Sequence, residues 1–229
     1  MTDRRDDDFL VRPSAPKNRG KGQGQSFVSK VLKQAGTSTR FVSLNNSVAP
    51  FDDVHFRRAL SYAFDRQAMV NVVLFGEGRA ANGIIPSSIS WAATQETPEL
   101  VTLNQEKALA ELEKSQYGPG TEATVLTWGS SWWKRFAEVF VLQVNQVLGV
   151  NFKVEVSDSG TVYQRMQTGD VQASIWGWLG LVDPDEYAYE IYHTDGARNF
   201  EHYSNPEVDK LLEVRESVPG IAHIIYDDP

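Results

Sequence analysis

Cysteine is absent from all 229 residues, which removes disulfides, thiolate nucleophiles, Cys-ligated zinc and iron–sulfur clusters and leaves the redox compartment open. No apolar run approaches the roughly 18 residues a membrane-spanning helix needs. The opening residues, Met1 to Asp8, lack the apolar stretch of a secretory signal, so no export signal is expected in this chain. Basic side chains are in the minority, with 22 Lys and Arg against 30 Asp and Glu and a net charge of -8. A general nucleic-acid binder needs clustered cations to neutralise phosphate, so no nucleic-acid partner is expected. Two catalytic signatures are also missing. Gly76-x-Gly78 has no third glycine and no preceding strand, which excludes a dinucleotide loop, and there is no Gly-x-Ser-x-Gly elbow.

The charge that is present is unevenly spread. Residues 1–36 hold eight Lys and Arg against four Asp, and the remainder of the chain carries a net charge of -12. Within the first segment, Val11 to Gln25 (VRPSAPKNRGKGQGQ) is rich in Pro, Gly, Gln and Lys and has too little apolar surface to offset the entropy of ordering. The composition predicts a disordered basic tail over 1–36, a folded unit over 37–216 and an irregular tail over 217–229. In the folded unit, Arg40 to Leu44 alternate as a strand. Asp52 or Asp53 caps a helix from Val54, and Asp65 caps its continuation until Gly76 and Gly78 end it. Residues 81–86 read as an extended crossing. A further helix starts near Leu103 and Asn104, turns Ala108, Leu109 and Leu112 inward, and stops at Gly118-Pro119-Gly120. A strand over 123–128, an amphipathic helix over 131–148 closed by Gly149, a strand over 151–156, a helix over 161–168 closed by Gly169 and a strand over 171–178 follow. Asp183-Pro184 and Asn205-Pro206 each open a helix. The alternation implies an α/β layer structure with parallel strand pairings.

Three stretches carry a resemblance. Phe51-Asp52-Asp53-Val54-His55-Phe56-Arg57-Arg58-Ala59-Leu60-Ser61-Tyr62-Ala63-Phe64-Asp65-Arg66 resembles the "D-x-x-V-R-x-A-L-x-Y-A-I-D-R" segment of the dipeptide, oligopeptide and nickel-binding family of ABC-importer solute-binding proteins. Gly177-Trp178 followed by Asp183-Pro184 is similar to the family's "G-W…D-P" segment. Asn199-Phe200-Glu201-His202-Tyr203-Ser204-Asn205-Pro206-Glu207-Val208-Asp209-Lys210-Leu211-Leu212 is similar to its "N-F-x-x-Y-x-N-P-E-V-D-x-L-L" signature. Three matches in order are far more specific than one. The resemblance implies one carboxyl-side lobe of a two-lobe, periplasmic-binding-protein-like (type II) fold, here as a fragment that lacks the first lobe and the return segment. It further implies solute binding, peptide above all, by the substrate-binding component of an ABC importer. The implied partners are the solute, the ABC permease subunits and the missing N-terminal lobe, in a periplasmic or extracellular setting, with no cofactor and no catalysis. Separately, Asp6-Asp7-Asp8-Phe9 with Val11-Arg12-Pro13 resembles the start of some plasmid relaxases, though the chain supplies no histidine cluster or catalytic tyrosine for that chemistry. A chimeric or truncated product without activity is the first alternative, and an α/β hydrolase or metal enzyme built on His193, Asp195 and His202 is the second.

Within the lobe, Trp178, Trp176 and Trp128 offer flat apolar faces with an N–H handle at strand ends, either as ligand platforms or as core. Asn199 and Tyr203 can supply hydrogen bonds at the cleft rim, or Tyr203 can pack on the helix after Pro206. In oligopeptide binders an aspartate shortly after "G-W" takes the peptide's ammonium; here that stretch is Leu179-Gly180-Leu181-Val182, and Asp183, the first carboxylate, also reads as a helix cap. The expected division at Gly36 is checked by limited proteolysis: cleavage should clear 1–36 first and leave 40–215 protected, and equal protection of the tail would remove the boundary.

Overall fold

Most helix starts among the described residues are set by short side chains that accept otherwise orphaned backbone N–H groups. A computed structural model describes residues 36–81, 83–86, 88–89, 101–179 and 183–213. The tails expected over 1–36 (Gly36 apart) and 217–229 therefore lie outside the described residues. In chain order the elements are β1 (Ser38–Leu44), α1 (Val54–Ala63), α2 (Arg66–Val73), α3 (Gln105–Lys114), β2 (Glu122–Trp128), α4 (Ser131–Leu148), β3 (Asn151–Ser157), α5 (Ser159–Thr168), β4 (Ala173–Leu179), α6 (Pro184–Tyr187), α7 (Tyr189–Tyr192) and α8 (Pro206–Glu213). Asp53 Oδ1 accepts from the N–H groups of His55 and Phe56 at 2.7 and 3.2 Å, opening α1. Asp65 does the same for Ala68 at 2.8 Å, Asn104 for Lys107 at 3.0 Å, and Asp158 for Thr161 at 3.0 Å. Gly149 and Gly169 close α4 and α5 in the left-handed region, at φ 67° and 72°.

Two expectations about α3 need correction. The cap at Asn104 fixes a phase in which Ala108 and Leu112, one turn apart, face inward, while Leu109 points to solvent at 46% exposure. The helix also ends at Lys114, short of Gly118-Pro119-Gly120. Asp53 ends it: its second carboxylate oxygen accepts from Ser115 Oγ at 3.0 Å and Gln116 N–H at 2.9 Å. The Asp65-Arg66 pair has a similar double use. Arg66 Nη1 donates to the carbonyls of Ser61, Phe64 and Val101, fastening the end of α1 to the chain before α3. Burial draws its guanidinium down to about 10, still charged at neutral pH.

The strands form one sheet in the order β1-β4-β2-β3. β2 pairs in parallel with β3 and with β4, as the alternation implied, whereas β1 runs antiparallel to β4. Side chains alternate across it. Val125, Ala173 and Ile175 join Phe136, Phe140 and Val144 of α4 and Phe56, Leu60 and Ala63 of α1 in the main core. On the opposite face Leu126 meets Val162 and Met166 of α5 together with Val171 and Phe200. Sheet and helices thus make three layers, with α6–α8 adding smaller clusters beside β1 and β4.

The amino-terminal end of β4 is held by polar groups. Asn45, 1% exposed, donates through Nδ2 to the carbonyls of Gly169 and Val171 at 3.1 and 2.9 Å. Asn46 donates through its backbone and side chain to the Glu201 carbonyl at 2.7 and 2.9 Å. The Glu201 side chain is buried, and the Ser43 hydroxyl hydrogen-bonds its carboxyl. Desolvation outweighs that bond and pushes the carboxyl from 4.5 up to about 7. A raised carboxyl pKa means that the folded state holds a proton the unfolded state has released, so stability falls as pH rises from 4.5 to about 7 and is level above that. The loss is about 3 kcal/mol. Urea unfolding at pH 4.5 and 7.5 should show it, and Glu201→Gln should flatten the difference; an unchanged pH dependence in that variant would assign it elsewhere.

Candidate functional site

Because β2 and β4 run parallel and β1 runs against them, the ends of β2 and β4 and the start of β1 share one edge of the sheet. Open α/β sheets bind ligands at this carboxyl edge, where strand ends and the following helix starts leave a crevice. Five of the six tryptophans are placed there: Trp128 ends β2, Trp132 and Trp133 lie in the first turn of α4, and Trp176 and Trp178 lie near the end of β4.

Their rings form two linked groups. Trp128 meets Trp176 edge-on at 5.7 Å and Trp133 at 4.5 Å, and Trp133 stacks on Trp132 at 4.2 Å with planes 12° apart. Trp176 is backed by Phe200 at 5.4 Å and Tyr163 at 6.1 Å. The sequence left Trp128 and Trp176 between platform and core, and both are half-buried with their rings largely committed to aromatic neighbours. Trp178 lies apart, against Ile84, Ile85, Ile89 and Tyr187. Its indole N–H is buried and finds no hydrogen-bond partner among the described residues. Arg198 covers the ring, with Cζ 4.5 Å from the centroid.

Arg40 is a site residue that sequence reasoning did not find. It is paired in register with Gly177, and its side chain runs over that glycine: a Cβ there would overlap Arg40 Cδ and stand 3.1 Å from Trp133 Cη2. The guanidinium ends against the stacked pair, 5.8 Å from the Trp132 centroid and 5.6 Å from that of Trp133. No local pattern signals this placement, because it depends on the antiparallel register of β1. Arg198 escaped notice for the same reason, being brought to Trp178 by a loop.

That loop also accounts for Asn199 and Tyr203. Asn199 Nδ2 donates to the carbonyls of His193 and Tyr203 at 3.1 and 2.7 Å, and Oδ1 accepts from Tyr203 N–H at 2.9 Å. The amide therefore staples the loop and holds its neighbours Arg198 and Phe200 against Trp178 and Trp176. Tyr203 packs with Tyr192, Ala188, Val208 and Leu212. Asp183 is exposed and accepts from Asp185 N–H at 3.0 Å, as a cap of α6. His193, considered as a metal ligand, is buried, stacks on Tyr189 at 4.2 Å and takes the Asp195 N–H on Nδ1 at 3.0 Å. The chemistry of the edge is thus flat apolar rings and two guanidinium groups. Among the described residues nothing in it forms a nucleophile–base pair.

Comparison with known proteins gives a consistent result. Residues 7–199 match the family described as bacterial extracellular solute-binding proteins, family 5 Middle, a span that takes in most of the basic segment. The probable D,D-dipeptide-binding periplasmic protein DdpA of Escherichia coli is 32% identical over 211 residues, 90% of this chain and 40% of its own length. Heme-binding protein A of Haemophilus influenzae is 29% identical over 191 residues, 80% of this chain and 34% of its own. The chain thus spans well under half the length of these relatives. The solved structure of the Escherichia coli murein tripeptide binding protein MppA superposes with a TM-score of 0.75 at 22% identity, covering 84% of this chain and 39% of that one. At that identity it speaks for the fold.

The Arg40–Gly177 crossing is open to a direct test. Gly177→Ala should force Arg40 off the Trp132–Trp133 stack and cost about 1–3 kcal/mol through overpacking. It should also reduce the near-ultraviolet circular dichroism of the coupled indoles. A variant of unchanged spectrum and stability would show that the crossing is not constrained.

Proposed function

The chain belongs to the bacterial extracellular solute-binding proteins of family 5, and on that premise we propose that it supplies one wall of a solute cleft in the binding component of an ABC importer. The solute, a peptide or similar small molecule, is held between this lobe and a second one and passed to the permease subunits outside the cytoplasm, without chemical change. The observation that carries this reading is the gathering of five tryptophans at the carboxyl edge of one sheet. Broad rings suit side chains of varied size, since they contribute dispersion and area without demanding one shape. The peptide-binding name of DdpA supports a peptide-like solute. In the same proposal the chain divides into a tail over 1–36, the lobe over 37–216 and a second tail over 217–229. Trp128, Trp176 and Trp178 form the aromatic wall, Asn199 and Tyr203 position the loop beside it, and Asp183 shapes the turn into α6.

The mechanism is one of population shift. Solute stabilises the closed arrangement of two lobes only by the difference in its affinity for closed and open forms. A single wall makes about half the contacts, so a micromolar free energy near -8 kcal/mol falls to about -4 and millimolar affinity. Titrating the 229-residue chain with di- and tripeptides, followed by the indole N–H resonances, should give saturable shifts with millimolar midpoints, diminished in Trp176→Ala. Micromolar binding would overturn the one-wall argument and indicate a complete pocket. The absence of any saturable shift with peptides, sugars or nickel would sink the solute-binding reading itself.

A further inference from the structure

Among the described residues Glu201 is the one acidic side chain that is buried, at 8% exposure, and no cation meets it. The Ser43 hydroxyl of β1 and the residue's own backbone N–H hydrogen-bond the carboxyl, while Oε2 has no partner among the described residues. Ser43 stands opposite Ser174 of β4, whose buried hydroxyl is likewise without a partner among them. The charged and titratable groups on the surrounding elements are engaged elsewhere. Arg198 lies on Trp178, Arg40 of β1 lies against Trp132 and Trp133, and Arg57 of α1 donates to the Phe51 carbonyl at 2.7 Å. Asp170, after α5, is exposed and meets Arg165 at 3.3 Å. The exposed His202 ring lies over Gly169. At the start of the loop, His193 takes the Asp195 N–H at 3.0 Å and faces Glu213 at 3.4 Å, and Asp209 of α8 accepts from Thr194.

The position of this carboxyl ties it to the tryptophans. The Glu201 carbonyl takes the backbone and side-chain N–H groups of Asn46 at 2.7 and 2.9 Å, so residue 201 is where the loop between α7 and α8 is fastened to the end of β1. Its chain neighbour Phe200 packs on Trp176 at 5.4 Å, and Arg198 covers Trp178 at 4.5 Å. A movement that returns the carboxyl to water therefore draws both covering side chains away from their rings. Burying the neutral acid costs little beside burying a carboxylate that has no cation, so the two protonation states favour different loop positions.

We infer that Glu201 is the positioning residue of this edge: with its carboxyl neutral, residues 198–201 seat against the sheet and cover Trp176 and Trp178, and with the carboxyl ionised they lift and uncover both rings. The seated carboxyl releases its proton at about 7, against 4.5 once it is back in water. Seating thus needs the proton. The ratio of lifted to seated loop climbs by about tenfold per pH unit from 4.5 to about 7 and is level above that. The catch belongs to the edge itself and works without a solute.

Amide hydrogen exchange in the 229-residue chain, corrected for the intrinsic pH dependence of exchange, reads this lifting directly. The amides of Asn46 and Tyr203 should exchange about tenfold or more faster than that of Leu126, buried in β2, and should lose protection by about tenfold per unit between pH 4.5 and 7. The indole N–H resonances of Trp176 and Trp178 should shift over the same range. Glu201→Gln keeps the shape without the charge, so its loop amides should hold level protection. Ser43→Ala removes the hydroxyl that draws the carboxyl pKa down, so the fall should continue to higher pH; this second variant decides the matter if the first does not fold. Loop amides that exchange together with Leu126 would show that the carboxyl is released only by unfolding of the whole lobe, and would overturn the inference. Level protection in the unmodified chain, a dependence that survives Glu201→Gln, or one that Ser43→Ala leaves in place would overturn it as well.

Discussion

Arg40 can lie across β4 only because Gly177, its partner in the antiparallel register, has no side chain in the way. Much of the carboxyl edge depends on that one vacancy. The guanidinium reaches the first turn of α4, where Trp132 and Trp133 stack, and Trp133 in turn meets Trp128 at the end of β2. A single crossing therefore links β1, β4, β2 and α4 at the end of the sheet where a ligand would sit. The same two residues are far apart in sequence, so the contact forms only once β1 has found β4. The edge is assembled by long-range pairing and is unavailable to any partly formed sheet.

The second organising element is the loop between α7 and α8. Its side chains divide the work. Asn199 turns inward and spends its amide on the backbone of His193 and Tyr203, while Arg198 and Phe200 on either side reach Trp178 and Trp176. Thr194 reinforces the arrangement by donating to Asp209 Oδ2 at 2.6 Å, tying the loop to α8. A residue can thus shape the carboxyl edge without facing it. The "N-F-x-x-Y" pattern is legible as a local staple whose output is the placement of its neighbours.

Much of the fold was readable from local chemistry. Asp53, Asp65 and Asn104 announced helix starts because a short acceptor has few better uses before an apolar-periodic stretch, and Gly149 and Gly169 announced helix ends because the left-handed turn excludes most other residues. The alternation of strands and helices gave the layered class and the parallel pairings of β2 with β3 and β4. Leu109 escaped because a phase error of one residue in an alanine- and leucine-bearing helix moves a side chain from core to solvent. The direction of β1 escaped because a lone strand pattern carries no polarity. Of the candidate site, the tryptophans were visible as residue types, but their contacts with Arg40 and Arg198 were hidden, since these arginines meet them through register and through a loop. Local sequence encodes where elements begin and end, whereas the edge is written in pairs that no window of sequence contains.

The buried Glu201 carboxyl has a bearing on heats as well as on stability. Its pKa of about 7 in the folded chain against 4.5 otherwise means that, at a pH near 6, the chain draws close to one proton from solution each time it folds. That proton comes from the buffer, and buffers differ widely in the enthalpy with which they release it. A calorimetric folding enthalpy obtained in phosphate will therefore disagree with one obtained in an amine buffer of the same pH, and the gap, divided by the difference in buffer ionisation heats, counts the protons carried into the interior.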